Sequence, residues 1–130
     1  MADEKKDGPV AVKYERTENF VSSYANSVLF EGSAWDLKLI FGQLDQSATP
    51  NVVKQHLAVT LPWPQAKLAL FWLRAQVEAA EATVNAKIPI RKDLLPQELP
   101  PLTEEQEKDP EAKRFREWYE KAREEFLKTV

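Results

Sequence analysis

One stretch constrains this chain more than any other: VTLPWPQAKLALFWLRAQVEAAEATV, from Val59 to Val84. An alternating, strand-like run stops at Pro62-Trp63-Pro64, and a helix-like run follows from about Pro64 to about Asn85. Pro64 falls near the first helical turn, where its missing N–H costs nothing. On a helical wheel Lys67, Arg74, Glu78 and Glu81 fill one narrow wedge. Leu70, Leu73, Val77, Ala80 and Val84 lie on one flank of it. Leu68, Trp72, Ala75 and Ala79 lie on the other, with Phe71 beside the charged wedge. A single sheet face can cover one flank only. Each large side chain left wet forgoes about 1.5–3 kcal/mol of burial, so a second covering surface is needed. Ala75, Ala79 and Ala82 would let a neighbour come close.

Ahead of that helix the pattern has period two, the mark of strands with one buried face. Val10, Val12 and Tyr14 alternate with Ala11, Lys13 and Glu15. Tyr24, Asn26, Val28 and Phe30 alternate with Ala25, Ser27, Leu29 and Glu31. Trp35, Leu37, Leu39 and Phe41 follow, and then Val53, Gln55, Leu57, Val59 and Leu61, opposed to Lys54, His56, Ala58 and Thr60. Glu31-Gly32-Ser33 reads as a hairpin loop and Asp45 to Asn51 as a polar loop containing Pro50. Residues 1–8 are polar and read as a disordered tail. The pattern predicts an α+β fold with a four-stranded antiparallel meander packed by one long helix, together spanning residues 9–87.

Residues 86–102, AKIPIRKDLLPQELPPL, hold four prolines and predict an extended arm. Thr103 to Gln106 has the spacing of a capping box, and Asp109-Pro110-Glu111 starts a last helix with an N-cap and a proline in its first turn. In that helix Phe115, Trp118, Tyr119, Ala122 and Phe126 share a face. Residues 88–130, the arm and last helix, would pack on the domain or on a second subunit. A long connector suits a chain that exchanges an arm, so the pattern favours a homo-oligomer, with a twofold dimer foremost. A monomer with both elements packed in cis is the alternative.

Composition narrows the function classes. The chain has 130 residues, 43% hydrophobic and 30% charged, with a net charge of -3, enough for one domain with a core. The acidic balance and the lack of a dense basic patch argue against nucleic acid or an anionic membrane as partner. No cysteine is present, which excludes disulfides and thiolate chemistry. The charged start lacks the apolar stretch of a secretory signal, and no run reaches the ~20 apolar residues of a membrane helix. The cytoplasm is the default expectation, and neither cofactor nor metal is implied.

The run Tyr24-Ala25-Asn26, Glu31 to Asp36, Phe41-Gly42-Gln43, Ala58-Val59-Thr60 before Pro62, and Ala66-Lys67-Leu68 resembles an uncharacterised bacterial domain-of-unknown-function family (DUF3467-like) over residues 20–85. That resemblance implies a small strand-meander-plus-helix domain and carries over no activity. The order of strands, long helix, proline-containing segment and final helix is also similar in architecture to SecB-type export chaperones, oligomers that bind unfolded chains. No specific motif supports the second likeness, which is one of fold alone.

Candidate chemistry is sparse. His56 is the single histidine, Asp36 and Asp45 flank the third expected strand, and Glu31 precedes it. Paired carboxylates could serve acid–base work or bind a cation, which makes a small-ligand or enzyme site near Asp36, Asp45 and His56 the competing class. Acids at turns more often bond local amides. The serines lack a nucleophile-elbow setting, and three glycines do not make a phosphate loop. Trp63, between two prolines, suits an aromatic anchor at a contact. The leading expectation is a non-catalytic, oligomeric interaction module with Trp63, Leu68, Phe71, Trp72, Ala75, Phe115, Trp118 and Tyr119 as its surface. A SecB-like chaperone is a specific version of it.

Overall fold

Among the described residues three strands and three helices follow one another in an α+β chain: β1 (Ser27–Gly32), β2 (Asp36–Asp45), β3 (Val52–Pro62), α1 (Trp63–Val84), α2 (Glu104–Glu107) and α3 (Pro110–Leu127), with one 3₁₀ turn at Lys92–Leu94. The computed structural model describes Gly8, residues 10–47 and residues 49–130. The tail expected over residues 1–8 lies outside the described residues except for Gly8. The chain divides into two compact units, Met1–Ala66 and Lys67–Val130.

In the first unit the strands form an antiparallel sheet in the order β1-β2-β3. The fourth strand expected at Val10 to Tyr14 is absent: residues 10–16 carry no strand, and among the described residues they make no backbone hydrogen bond. Alternation states which side chains would share a face, but a strand exists only when a neighbour accepts its amides. Asn26 fixes the start of β1. Its backbone N–H donates to the Gly42 carbonyl at 3.0 Å, and its Oδ1 accepts from the Leu44 amide at 2.7 Å. The β1–β2 loop is closed by Ser33, whose hydroxyl donates to Asp36 Oδ1 at 3.0 Å and accepts from the Trp35 and Asp36 amides.

One irregularity changes the faces of the sheet. Phe41 pairs with Leu57, yet Gly42 pairs with Gln55, so His56 is an extra residue on β3. Such a bulge inverts side-chain parity beyond it. Val53 and Gln55 therefore leave the face that holds Leu57, Val59 and Leu61, and Lys54 joins it, a correction to the unbroken alternation expected over Val53 to Leu61. Gly42 makes the bulge possible and is buried. A Cβ there would lie 2.7 Å from Val53 Cγ1 and 2.9 Å from the Lys54 carbonyl oxygen.

β3 runs into α1 without a loop. In the second unit α1 ends in a Schellman motif. Asn85 takes a positive φ of 51°, its N–H bonds to the Ala82 carbonyl, and the Ala86 N–H bonds to that of Glu81. Glu81 then accepts from the Ile88 amide at 2.8 Å. The capping box at Thr103 and Gln106 forms, and Asp109 caps α3 with Pro110 in its first turn. Between these ends, residues 95–103 form neither helix nor strand. They lie along α3, where Tyr119 donates to the Gln97 carbonyl at 2.6 Å, Arg123 to that of Pro96 at 2.8 Å, and Arg116 to that of Pro100. Prolines remove donors but leave carbonyls, and one helix stripe at i, i+3 and i+7 satisfies three of them. The segment thus lies along α3 of its own chain.

Two substitutions test this account. Gly42→Ala should destabilise the sheet by about 1–3 kcal/mol in urea unfolding, because the branched Val53 side chain and the β3 backbone at Lys54 and Gln55 occupy the space; an unchanged midpoint would contradict the close approach. Tyr119→Phe should cost about 1 kcal/mol and raise proteolytic cutting near Gln97; equal stability and cutting would show that the phenol does not hold the segment.

Candidate interaction surface

The register gathers Val28, Phe30, Leu37, Leu39, Phe41, Leu57, Val59 and Leu61 on one face of the sheet. Its rows are Val28–Phe41–Leu57, Phe30–Leu39–Val59 and Gly32–Leu37–Leu61, and no charged or polar side chain interrupts them. The opposite face has Leu29–Ile40–Ala58 beside Glu31–Lys38–Thr60, with opposite charges across one strand pair. A sheet solvated on one side is expected to be polar there and apolar towards its core, so the direction in which this sheet wants burial is fixed. Yet no apolar residue among the described residues is buried. On the apolar face Phe30 is 62% exposed, and Val28, Leu57 and Val59 are exposed too, while central-strand Leu37, Leu39 and Phe41 are half-buried.

Trp63 closes one end of this face. Its indole N–H donates to the Ser33 carbonyl at 2.9 Å, and its ring lies over Gly32, 3.4 Å from where a Cβ would stand. Trp63, expected as an aromatic anchor at a contact, is partly covered and ties the start of α1 to the β1–β2 turn.

The remaining expected surface residues lie in the second unit. Leu68, Phe71 and Trp72 are exposed on α1, Trp72 at 61%, and Ala75 is half-buried. Phe71 and Trp72 meet edge to face at 4.9 Å. Leu70 and Leu73, on the other flank, are exposed as well, and α1 has no buried residue. On α3 Phe115 lies 6.0 Å from Trp118 and 6.1 Å from Tyr119, centroid to centroid. Trp118 is 63% exposed, while Tyr119 is half-buried by the 95–103 segment it holds. The residue list drawn from the sequence omitted the sheet rows, although their alternation was the available signal. It also omitted Arg116 and Arg123, whose role depends on carbonyls 16 and 27 residues away.

The competing polar site divides. Asp36 stands at the Pro62 end of β2 and is held by Ser33. At the other end Gln43, Leu44, Asp45, Lys54 and His56 line an open hollow of about 310 Å³. Asp45 is engaged by Ser47, whose hydroxyl and amide donate to Oδ1 at 2.6 and 2.9 Å. Those bonds, hydroxyl first, and the nearby Lys54 ammonium hold the Asp45 carboxyl below its ordinary value. Among the described residues no three His, Asp or Glu side chains gather as a metal-binding set, and no described helix is long and apolar enough to cross a membrane. No family model matches the chain, and neither a curated protein nor a solved structure matches it.

Asp45 gives a pH prediction. Folding lowers its pKa, so its contribution to stability is complete above the unfolded value of ~3.9 and is lost as pH falls through the folded value. A carboxyl-carbon NMR titration should place Asp45 below a peptide aspartate, and Ser47→Ala, which keeps the backbone donor, should move it part of the way back. A midpoint at or above the peptide's in the parent chain would refute the turn as drawn.

Proposed function

We propose that this chain is a non-catalytic interaction module that works as a homo-oligomer, a dimer foremost, by covering the apolar sheet face and the apolar flanks of α1 with a second copy. The observation that carries the reading is the sheet face itself: three rows of apolar side chains, ordered by register, with Phe30 62% exposed in the single chain. Contiguous apolar surface of this kind marks an interaction site in a soluble protein. Covering each large side chain would contribute about 1.5–3 kcal/mol, and a handful suffices to hold two copies together. The intramolecular contacts of Asp36 and Asp45 favour a structural role for both acids over a catalytic one.

An unfolded chain would suit the same surfaces, and in that SecB-like version client segments compete with the second copy for the apolar face. Light scattering tests the main reading. Its expected result is a mass of at least twice 14.9 kDa, and Phe30→Asp should return it to one copy while leaving the second unit's helix content intact. A wild-type mass of one copy at every concentration would reject the oligomer. Apolar-dye binding that persists in the oligomer and is displaced by an unfolded client would favour the chaperone version.

A further inference from the structure

Residues 10–15 have everything a strand needs except a neighbour. Val10, Val12 and Tyr14 are 83%, 65% and 90% exposed. On the other side Lys13 Nζ and Glu15 Oε1 form an ion pair at 2.9 Å, the same-side geometry of positions i and i+2 in an extended chain. Among the described residues this backbone makes no hydrogen bond. The sheet offers the complementary defect. β3 is an 11-residue edge strand, exposed over all but Leu61, with no proline before Pro62, and a long exposed edge of that kind is a template for another strand.

We propose that residues 10–15 of one copy add as a fourth strand to the free edge of β3 in a second copy; this rests on the homo-oligomer reading and names its joint. The two edges of the sheet are not equivalent hosts. Between the bulge at His56 and Pro62, β3 presents Leu57, Val59 and Leu61 on the apolar face and Ala58 and Thr60 on the other. Val10, Val12 and Tyr14 match the first set in number and in apolar character, and Ala11 and Lys13, which lie between them, fall on the side of the second. Added there, they lengthen the apolar rows and place Lys13 and Glu15 on the Glu31–Lys38–Thr60 side. β1 is the poorer host, because Leu29 stands on its polar side and Gly32 on its apolar side is already under Trp63. Its six residues also give a shorter edge. Reciprocal exchange makes the arrangement closed and twofold.

The cysteine-free chain allows a direct test in full-length protein. A nitroxide is attached to Lys13→Cys, on the polar side, in unlabelled copies, which are unfolded and refolded together with ¹⁵N-labelled wild type. Selective broadening of the Leu57–Leu61 amides in the labelled copies is the expected result. Amide exchange along β3 should accelerate at least tenfold in either Ala11→Pro or Val12→Pro, since neighbouring residues of a strand aim their N–H groups to opposite sides and one of the two must remove a ladder donor. Val12→Ile should keep wild-type exchange. A wild type that is oligomeric but shows no broadening at β3, with exchange unmoved by both prolines, overturns this strand exchange and leaves the oligomer reading standing. A wild type of one-copy mass overturns both.

Discussion

A three-stranded sheet with three uninterrupted apolar rows on one face, between the bulge and the β1–β2 turn, is the constraint from which the rest of this protein follows. The register puts Leu37, Leu39 and Phe41 in the central strand between Val28 and Phe30 on one side and Leu57, Val59 and Leu61 on the other. Backbone pairing alone holds such a sheet weakly, because the net gain of each hydrogen bond over water is near 1 kcal/mol. Stability has to come from drying that face, and the single chain leaves its outer rows wet. The hydrophobic term is the dominant favourable one in folding, so in the oligomer we propose the same side chains would couple folding to association.

Local geometry is, by contrast, well determined inside each unit. Ser33 and Asp36 close the first turn, Asp45 and Ser47 the second, and Asn26 ties the chain entering β1 to Leu44 on β2. Asn85 stops α1 with its left-handed conformation, and Thr103 and Asp109 start the two later helices. The Arg116, Tyr119 and Arg123 stripe binds carbonyls that prolines cannot satisfy themselves. These are polar, short-range devices. They specify where elements begin and end, and they leave the large apolar side chains of α1 and of the outer strands of the sheet exposed.

What could be read from sequence divides along the same line. Helix ends were legible because caps lie within four residues of what they cap, as at Thr103, Asp109 and Asn85. The apolar face of β1 and β2 was legible from period two. The bulge at His56 was not, since it depends on Gly42 in another strand yielding space to Lys54 and Val53. The fourth strand was expected and is absent for a related reason: Val10, Val12 and Tyr14 have strand chemistry, but pairing is a property of two segments. Asn26 was distinctive as a residue, yet its partner lies 18 positions on. Of the expected surface, α1 and α3 residues were nameable from helical spacing, whereas the clamp made by Trp63 on Ser33 and Gly32 needed the turn to exist first.

The coupling of folding to assembly is tested most directly by the thermal midpoint as a function of protein concentration. If a second copy dries the sheet, only the assembled state is stable, and mass action raises Tm with concentration; for two chains of this length a hundredfold increase should raise it by about 5 °C. A midpoint that stays fixed over that range, with a fully cooperative transition, would mean that one chain buries what it needs by itself.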